Sequence, residues 1–167
     1  LTVDRNDPSS FLSSVTIYDQ GSVTVKSPDV PARAGDRIVA VFELSEEMKK
    51  TPKVKLGTKG MILDGVSCVS GTCSFYRDIE SNEGDGEKDI LIEMEDIAGN
   101  VAADIYPSEL TVDTTAPEMH SNFMSPEFAK LGDTIEARFK FSEPVNTSQF
   151  YISSTIPFTK DTGQSTD

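Results

Sequence analysis

The sequence predicts an all-β protein organised as a Greek-key β-sandwich. About seven short segments that alternate apolar and polar residues follow one another within the first two thirds of the chain, with turn-forming residues between them. β-branched residues are frequent in these segments. The hydrophobic fraction of 37% is low but spread along the chain, which is enough for a thin sandwich core.

The predicted strands follow the chain in this order: 13–19, 21–27, 36–46, 52–57, 60–67, 73–80, 88–96 and 101–113. Two of them place their apolar residues on one face: Ile38, Ala40, Phe42 and Leu44 in the first, and Ile90, Ile92 and Met94 in the second. Residues 44–50 are predicted to form either a short helix or a loop. Pro107 predicts an edge strand or a bulge.

Aromatic side chains are expected to supply much of the core. Phe11, Phe42, Phe75 and Tyr76 are assigned to it, together with Phe139 and Phe141 further along the chain. Residues 96–100 are predicted to form a turn, because Gly99 and Asn100 tolerate a positive φ.

The chain is strongly acidic, with a formal net charge of −13 from 28 acidic and 15 basic residues. Nucleic acid and anionic membrane surfaces are therefore not expected partners, because both require clustered Lys and Arg. The sequence also contains no apolar run of about 18 residues that could span a membrane. The surplus of carboxylates suits either calcium binding through oxygen ligands or simply an acidic, soluble surface.

The two cysteines, Cys68 and Cys73, lie in the segment CVSGTC. A glycine-containing turn between them can bring their side chains to disulfide distance. A disulfide is predicted, and it implies an oxidising compartment. The alternative is two free thiols in a cytosolic protein.

Two phrases recur along the chain and predict tandem domains. LTVDRNDP at 1–8 returns as LTVDTTAP at 110–117, and AGDRIVAVFELSEEM at 34–48 returns as LGDTIEARFKFSEPV at 131–145. A period near 100 residues is typical of tandem domains rather than of a solenoid. Residues 1–8 are interpreted as a linker at the end of a preceding repeat, 9–113 as the first domain, and 114–167 as a second domain that is incomplete.

The segment GDGEKDILIEMEDIAGNVA at 84–102, followed by LTVDTTAP and GDTIEARFKFSEPV, resembles the bacterial Ig-like tandem repeats of large secreted or surface adhesin-type proteins. The chain departs from that pattern at Arg5 and Asn6, which replace a Thr pair, and in its cysteines. The resemblance implies an Ig-like Greek-key sandwich in two tandem repeats. It also implies a structural or adhesive role and an extracellular or cell-surface location.

Calcium is the expected cofactor, because Ig-type topology gathers acidic loops at the two ends of a domain. The candidate ligands at the first end are Asp4, Asp7, Glu46, Asp96 and Asn100. Those expected at the junction between the repeats are Asp36, Glu83, Asp85, Asp113 and Glu143. Bound calcium would stiffen the junction. In the alternative interpretation these Asp and Asn side chains only form hydrogen bonds to nearby backbone groups.

No catalytic motif is present, and a single histidine leaves few options for acid–base chemistry, so the chain is not expected to be an enzyme. The leading hypothesis is a structural or adhesive extracellular module. The alternatives are a glycan- or protein-binding module and an accessory Ig-like domain of a secreted hydrolase. The expected partners are neighbouring Ig-like repeats of the same chain, and then a host or cell-surface protein or a glycan.

Overall fold

A computed structural model of the protein describes residues 5–27 and 29–145. The chain divides into two compact units, unit 1 at Leu1–Thr115 and unit 2 at Ala116–Asp167. This division falls two residues after the boundary at 113/114 that the repeated phrases predict.

The described residues of unit 1 form eight strands: β1 (Ser10–Tyr18), β2 (Arg37–Leu44), β3 (Lys53–Leu56), β4 (Lys59–Gly60), β5 (Ile62–Leu63), β6 (Thr72–Asp78), β7 (Gly86–Glu95) and β8 (Val101–Val112). They build two four-stranded antiparallel sheets, ordered β1-β2-β6-β5 and β4-β3-β7-β8. The all-β class is therefore confirmed, with a sandwich-like arrangement. Within 5–27 and 29–145 there is no helix, and hence none that is long and apolar enough to cross a membrane.

The core of unit 1 lies between the inner faces of the two sheets. The apolar faces predicted for 36–46 and 88–96 are confirmed, because all seven of their residues are buried. Phe42 and Phe75, on the paired strands β2 and β6, stack with their ring centroids 5.7 Å apart. Burial of these alternating residues supplies the main driving force for folding.

Phe11 contradicts its predicted place in the core, since 69% of its surface is exposed. A β-bulge between Leu12 and Ser14 explains the difference, because it inserts one residue into β1 and inverts the alternation on one side of it. Val15 and Leu12 therefore both pack against the core, although they are three residues apart.

Residues 21–27, predicted as a strand, do not form one. Val25 makes a single antiparallel bridge with Tyr18, while Val23 is 91% exposed. The segment turns back on β1 through hydrogen bonds from Ser22 N to Asp19 O (3.0 Å) and from Lys26 N to Ile17 O (2.8 Å). Alternation of β-branched residues predicted a strand here, but the segment pairs with β1 only at the Tyr18–Val25 bridge and forms no continuous ladder.

Residues 44–50 form a loop rather than a helix. Met48 is buried and makes an isolated antiparallel bridge with Asp96, and its amide donates to Val69 O (2.6 Å). The bridge ties the loop to the 96–100 turn, where Gly99 has the expected positive φ of 94°, and the bond to Val69 ties it to the segment between the two cysteines.

The expectation for Pro107 is confirmed in both of its forms. It lies in β8, which is the last strand of its sheet, and the pairing of β7 with β8 shifts register between Lys88 and Ile90. Ser108, directly after the proline, has a φ of 53°, which is unusual for a residue other than glycine. The bulge thus lies on an edge strand, where the missing proline amide costs no ladder hydrogen bond.

Cys68 and Cys73 form the predicted disulfide, with their Cα atoms 5.6 Å apart and both residues buried. Cys73 belongs to β6, whereas Cys68 lies in the loop that precedes it. The bond therefore fixes this loop onto the sheet. Gly71, inside the closed loop, has a φ of 68°, a conformation that favours glycine.

In unit 2, the described residues form an antiparallel pair of strands, β9 (Met119–Ser125) and β10 (Glu136–Phe141). Five of its large apolar residues are exposed: Met119, Phe123, Met124, Phe128 and Leu131. Phe139 and Phe141 are half-buried on β10. The predicted second domain continues to residue 167, but residues 146–167 lie outside the described part of the chain.

Candidate functional site

Polar side chains concentrate at the two ends of unit 1 and along one side of it. At the first end, the chain before β1 meets the 96–100 turn through Asn100, whose Nδ2 donates to Asn6 O at 3.0 Å. The 45–48 loop reaches the same end, where Ser45 N donates to Ser9 O at 2.9 Å. The structure thus brings together the linker, the Ser-Glu-Glu loop and the 96–100 turn, as the topology argument expects.

Asp96 is fully buried at this end, and both of its oxygens accept hydrogen bonds. Oδ1 accepts from the amides of Gly99 (2.6 Å) and Asn100 (2.8 Å), and Oδ2 accepts from Asn100 Nδ2 (2.7 Å). Burial opposes ionisation, but the Asn100 side chain and the backbone amides of the turn outweigh it and hold the pKa of Asp96 below its usual value. Asp96 therefore organises the turn that receives the incoming chain.

The structure also describes two other calcium-ligand candidates at this end. Asp7 is exposed and Glu46 is half-buried. Asp4 lies outside the described residues. Next to the turn, Glu95 is held by Lys49 and Lys50, whose side chains lower its pKa to about 2.

At the opposite end, Asp85 holds the chain that leaves β8. Its Oδ1 accepts from the Thr114 amide (2.7 Å) and hydroxyl (3.0 Å), and its Oδ2 accepts from the Thr115 hydroxyl (2.5 Å). The Thr115 hydroxyl and then the two Thr114 donors hold the pKa of Asp85 below its usual value. Asp113 is half-buried beside this site, and its amide donates to Ala32 O (2.8 Å).

Asp36, a second candidate in unit 1, is fully buried and paired with cationic and amide donors. Lys26 Nζ lies 2.5 Å from Oδ2, and the Arg33 amide donates to the same oxygen at 2.8 Å. Arg33 also pairs with Asp19 at 2.8 Å. These pairs link Asp19, Lys26, Arg33 and Asp36 within the connection between β1 and β2.

Glu83 forms a two-point ion pair with Arg77, and the pair is largely buried, with side-chain exposures of 1% for Glu83 and 15% for Arg77. Arg77 Nε donates to Oε1 at 2.7 Å and Nη2 to Oε2 at 2.8 Å, while Nη1 reaches Gly60 O at 3.0 Å. Burial raises the pKa of Glu83, but the Arg77 guanidinium more than compensates and holds it below the usual value. Arg77 thereby connects β6 in one sheet to β4 in the other.

Four of the acidic residues predicted to bind calcium accept hydrogen bonds from protein donors instead: Asp36, Glu83, Asp85 and Asp96. Within 5–27 and 29–145, no three acidic, His or Cys side chains converge where they could hold a metal ion. Glu143 belongs to unit 2 and Asp113 to unit 1. The calcium site remains a prediction from the sequence.

One cluster was missed by the sequence interpretation and connects the two terminal strands of unit 1. Ser10 donates to Asp104 Oδ2 from its amide (2.6 Å) and from its hydroxyl (2.7 Å). Tyr106 OH donates to Ser10 O (2.8 Å) and accepts from the Leu12 amide (3.2 Å). We call Ser10, Leu12, Asp104 and Tyr106 the clasp. Its signal in the sequence is the alternation of β8, which places Asp104 and Tyr106 opposite the buried Ile92 and Ile90.

The surface of unit 1 also carries two open grooves. One, of about 790 Å³, lies over the outer face of β2 and β6 and is lined by Tyr18, Arg37, Val39, Val41 and Asp78 among others. The other, of about 440 Å³, lies beside Lys53, Glu93 and Val101. In the first groove Arg37 covers the Tyr76 ring at 4.2 Å and pairs with Asp78, so its charge is already neutralised.

Comparisons of the chain with protein-family models, with curated proteins and with solved structures found no match.

Proposed function

We propose that the chain is a structural module of an extracellular repeat protein, in which unit 1 is an Ig-like domain that extends and spaces its neighbours. The repeated phrases and the resemblance described above motivate the proposal. Three features of unit 1 support it: the order of its strands, the places where the chain enters and leaves it, and the bonds that fix both of those places.

The strand order supports an Ig-like Greek key. In Ig sandwiches the first, second, fifth and fourth strands share one sheet, and the third, sixth and seventh share the other. The orders β1-β2-β6-β5 and β4-β3-β7-β8 correspond to this arrangement when β4 is counted as an additional strand beside β3.

The observation that carries the proposed function is that the chain enters and leaves unit 1 at opposite ends of β8. It enters beside the 96–100 turn, where Asn6 is bonded to Asn100, just before β8 begins. It leaves after Val112, where Asp85 holds Thr114 and Thr115. A module with this layout adds the length of a long strand to an array, as a spacer requires.

The distance between the two ends of unit 1 can be measured with pairs of spin labels on the full chain. Labels at Arg5→Cys and Thr111→Cys should be separated by roughly 3 nm, because β8 rises about 3.3 Å per residue between the two ends. A control pair at Arg5→Cys and Ile97→Cys should give a much shorter distance, since both residues lie at the first end. Equal distances for the two pairs would reject the spacer layout. Saturable binding of a glycan by the full chain would instead favour the binding-module alternative.

Calcium binding is the second part of the proposal and has its own test. The melting temperature of the full chain would be measured in chelator and in millimolar calcium. A bound ion should raise it, because a ligand present at about 100 times its Kd stabilises the folded state by about 2.7 kcal/mol. Magnesium at the same concentration is the control for ionic strength. An unchanged melting temperature in calcium would remove the cofactor from the proposal.

A further inference from the structure

We propose that the clasp is a mechanical connection, which resists unfolding when the two ends of unit 1 are pulled apart. The biological purpose of such a connection rests on the proposed spacer function, because a spacer on a surface is loaded through its two ends. Its physical basis is the direction in which the two terminal strands run.

The clasp joins β1 and β8 side by side in parallel. Ser10 lies against Asp104, and two residues later Leu12 lies against Tyr106, so residue numbers rise together along both strands. Ala32 continues the arrangement with a parallel bridge to Val112, in which Ala32 N donates to Thr111 O at 2.8 Å. These contacts lie along β8 from near its beginning to its end.

When unit 1 is pulled at its two ends, β1 and β8 are loaded in shear, because they run parallel and each leads to a different end. Tension draws β1 towards the first end of unit 1 and β8 towards the second, so the two strands tend to slide past each other. Every bond of the clasp is then strained at the same time instead of one after another. A set of bonds that must break together resists force better than the same bonds opened in sequence.

The bonds of the clasp suit this role because side chains supply them in place of a backbone ladder. The Asp104 carboxylate accepts two hydrogen bonds at 2.7 Å or less, and hydrogen bonds to a charged acceptor are roughly twice as strong as neutral ones. The Tyr106 hydroxyl adds one donated and one accepted bond. Together they satisfy the Ser10 and Leu12 amides on the edge of β1 that does not face β2.

Constant-force unfolding of the full chain, held at its two termini, tests the inference. Unit 1 is recognised by a length gain of roughly 35 nm, which corresponds to about 110 residues and clearly exceeds what the smaller unit 2 can give. Forced unfolding is governed by the unfolding rate. Tyr106→Phe should raise that rate about tenfold, because it removes the hydrogen bonds of one hydroxyl. Asp104→Ala should act in the same direction, and Asp104→Asn, which keeps an acceptor oxygen but loses the charge, should raise the rate less than Asp104→Ala does.

The control applies force to the same proteins through cysteines introduced at Lys53 and Thr72. Neither β1 nor β8 then carries an end, so Tyr106→Phe should change the rate less than about threefold. An equal effect in both pulling directions would mean that Tyr106 stabilises the fold without bearing load, and it would overturn the inference. No effect in either direction would overturn it as well. Both results leave the spin-label distance unchanged, so a failure of the clasp is distinguishable from a failure of the spacer layout.

Discussion

Phe42→Ala should lower the free energy of unfolding of unit 1 by about 4 kcal/mol. Phe42 is fully buried on β2 and stacks on Phe75, so its removal loses the transfer free energy of the ring and leaves a cavity between the sheets. Urea unfolding followed by circular dichroism measures the change.

Phe11→Ala is the matched control for this variant. Phe11 also lies on a strand of the same sheet but is 69% exposed, so its replacement should change the free energy of unfolding by no more than about 0.5 kcal/mol. Similar losses for the two variants would contradict the bulge in β1, because they would place both rings in the core.

Glu83→Gln should destabilise unit 1 by about 3 kcal/mol at neutral pH. The variant keeps the shape of the side chain but leaves the guanidinium of Arg77, whose side chain is 15% exposed, without its buried counter-charge. Glu80→Gln is the matched control. Glu80 lies 3.9 Å from the same guanidinium, but its side chain is 62% exposed, so its loss should cost less than about 0.5 kcal/mol.

The same pair predicts a pH dependence whose sign is fixed by the pKa of Glu83. This pKa is lower in the folded protein than its usual value of 4.5. The stabilisation is therefore complete above pH 4.5 and is lost as the pH falls through the folded pKa. The gap in stability between the unmodified chain and Glu83→Gln should narrow between pH 7 and pH 3. A gap that stays constant over this range would show that the charge of Glu83 is not what stabilises the pair.

Strict alternation in the sequence was sufficient to place the core of unit 1. The apolar residues of Ile38 to Leu44 and of Ile90 to Met94 lie on β2 and β7, each of which has a neighbouring strand on both sides. Alternate residues of such a strand face opposite sides of the sheet, and the apolar set is the one that is buried. Alternation failed where a strand gains a residue, as at the bulge after Leu12, because the period of two carries no sign of the insertion. It failed again at 21–27, where only the single Tyr18–Val25 bridge forms, because β propensity alone does not supply a continuous pairing ladder.

The polar sites were harder to predict than the core, because their partners are distant in sequence. The sequence pointed to Asp96 and Asn100 as a pair because they lie in one turn. Arg77 and Glu83 are six residues apart, and only the approach of β4 shows why the guanidinium is buried. The clasp joins residues 94 to 96 positions apart, so the alternation of β8 could place Asp104 and Tyr106 on one face but could not reveal their partners on β1. Such contacts depend on how the two sheets close against each other.

Met61, the single residue between β4 and β5, is buried and carries the chain from one sheet to the other. The two strands on either side of it are edge strands of only two residues each, too short to serve as templates for another chain. On the opposite side, the clasp occupies amides of β1 that would otherwise be free to recruit a strand. Copies of unit 1 therefore offer few edges from which a β-sheet could grow from one molecule to the next.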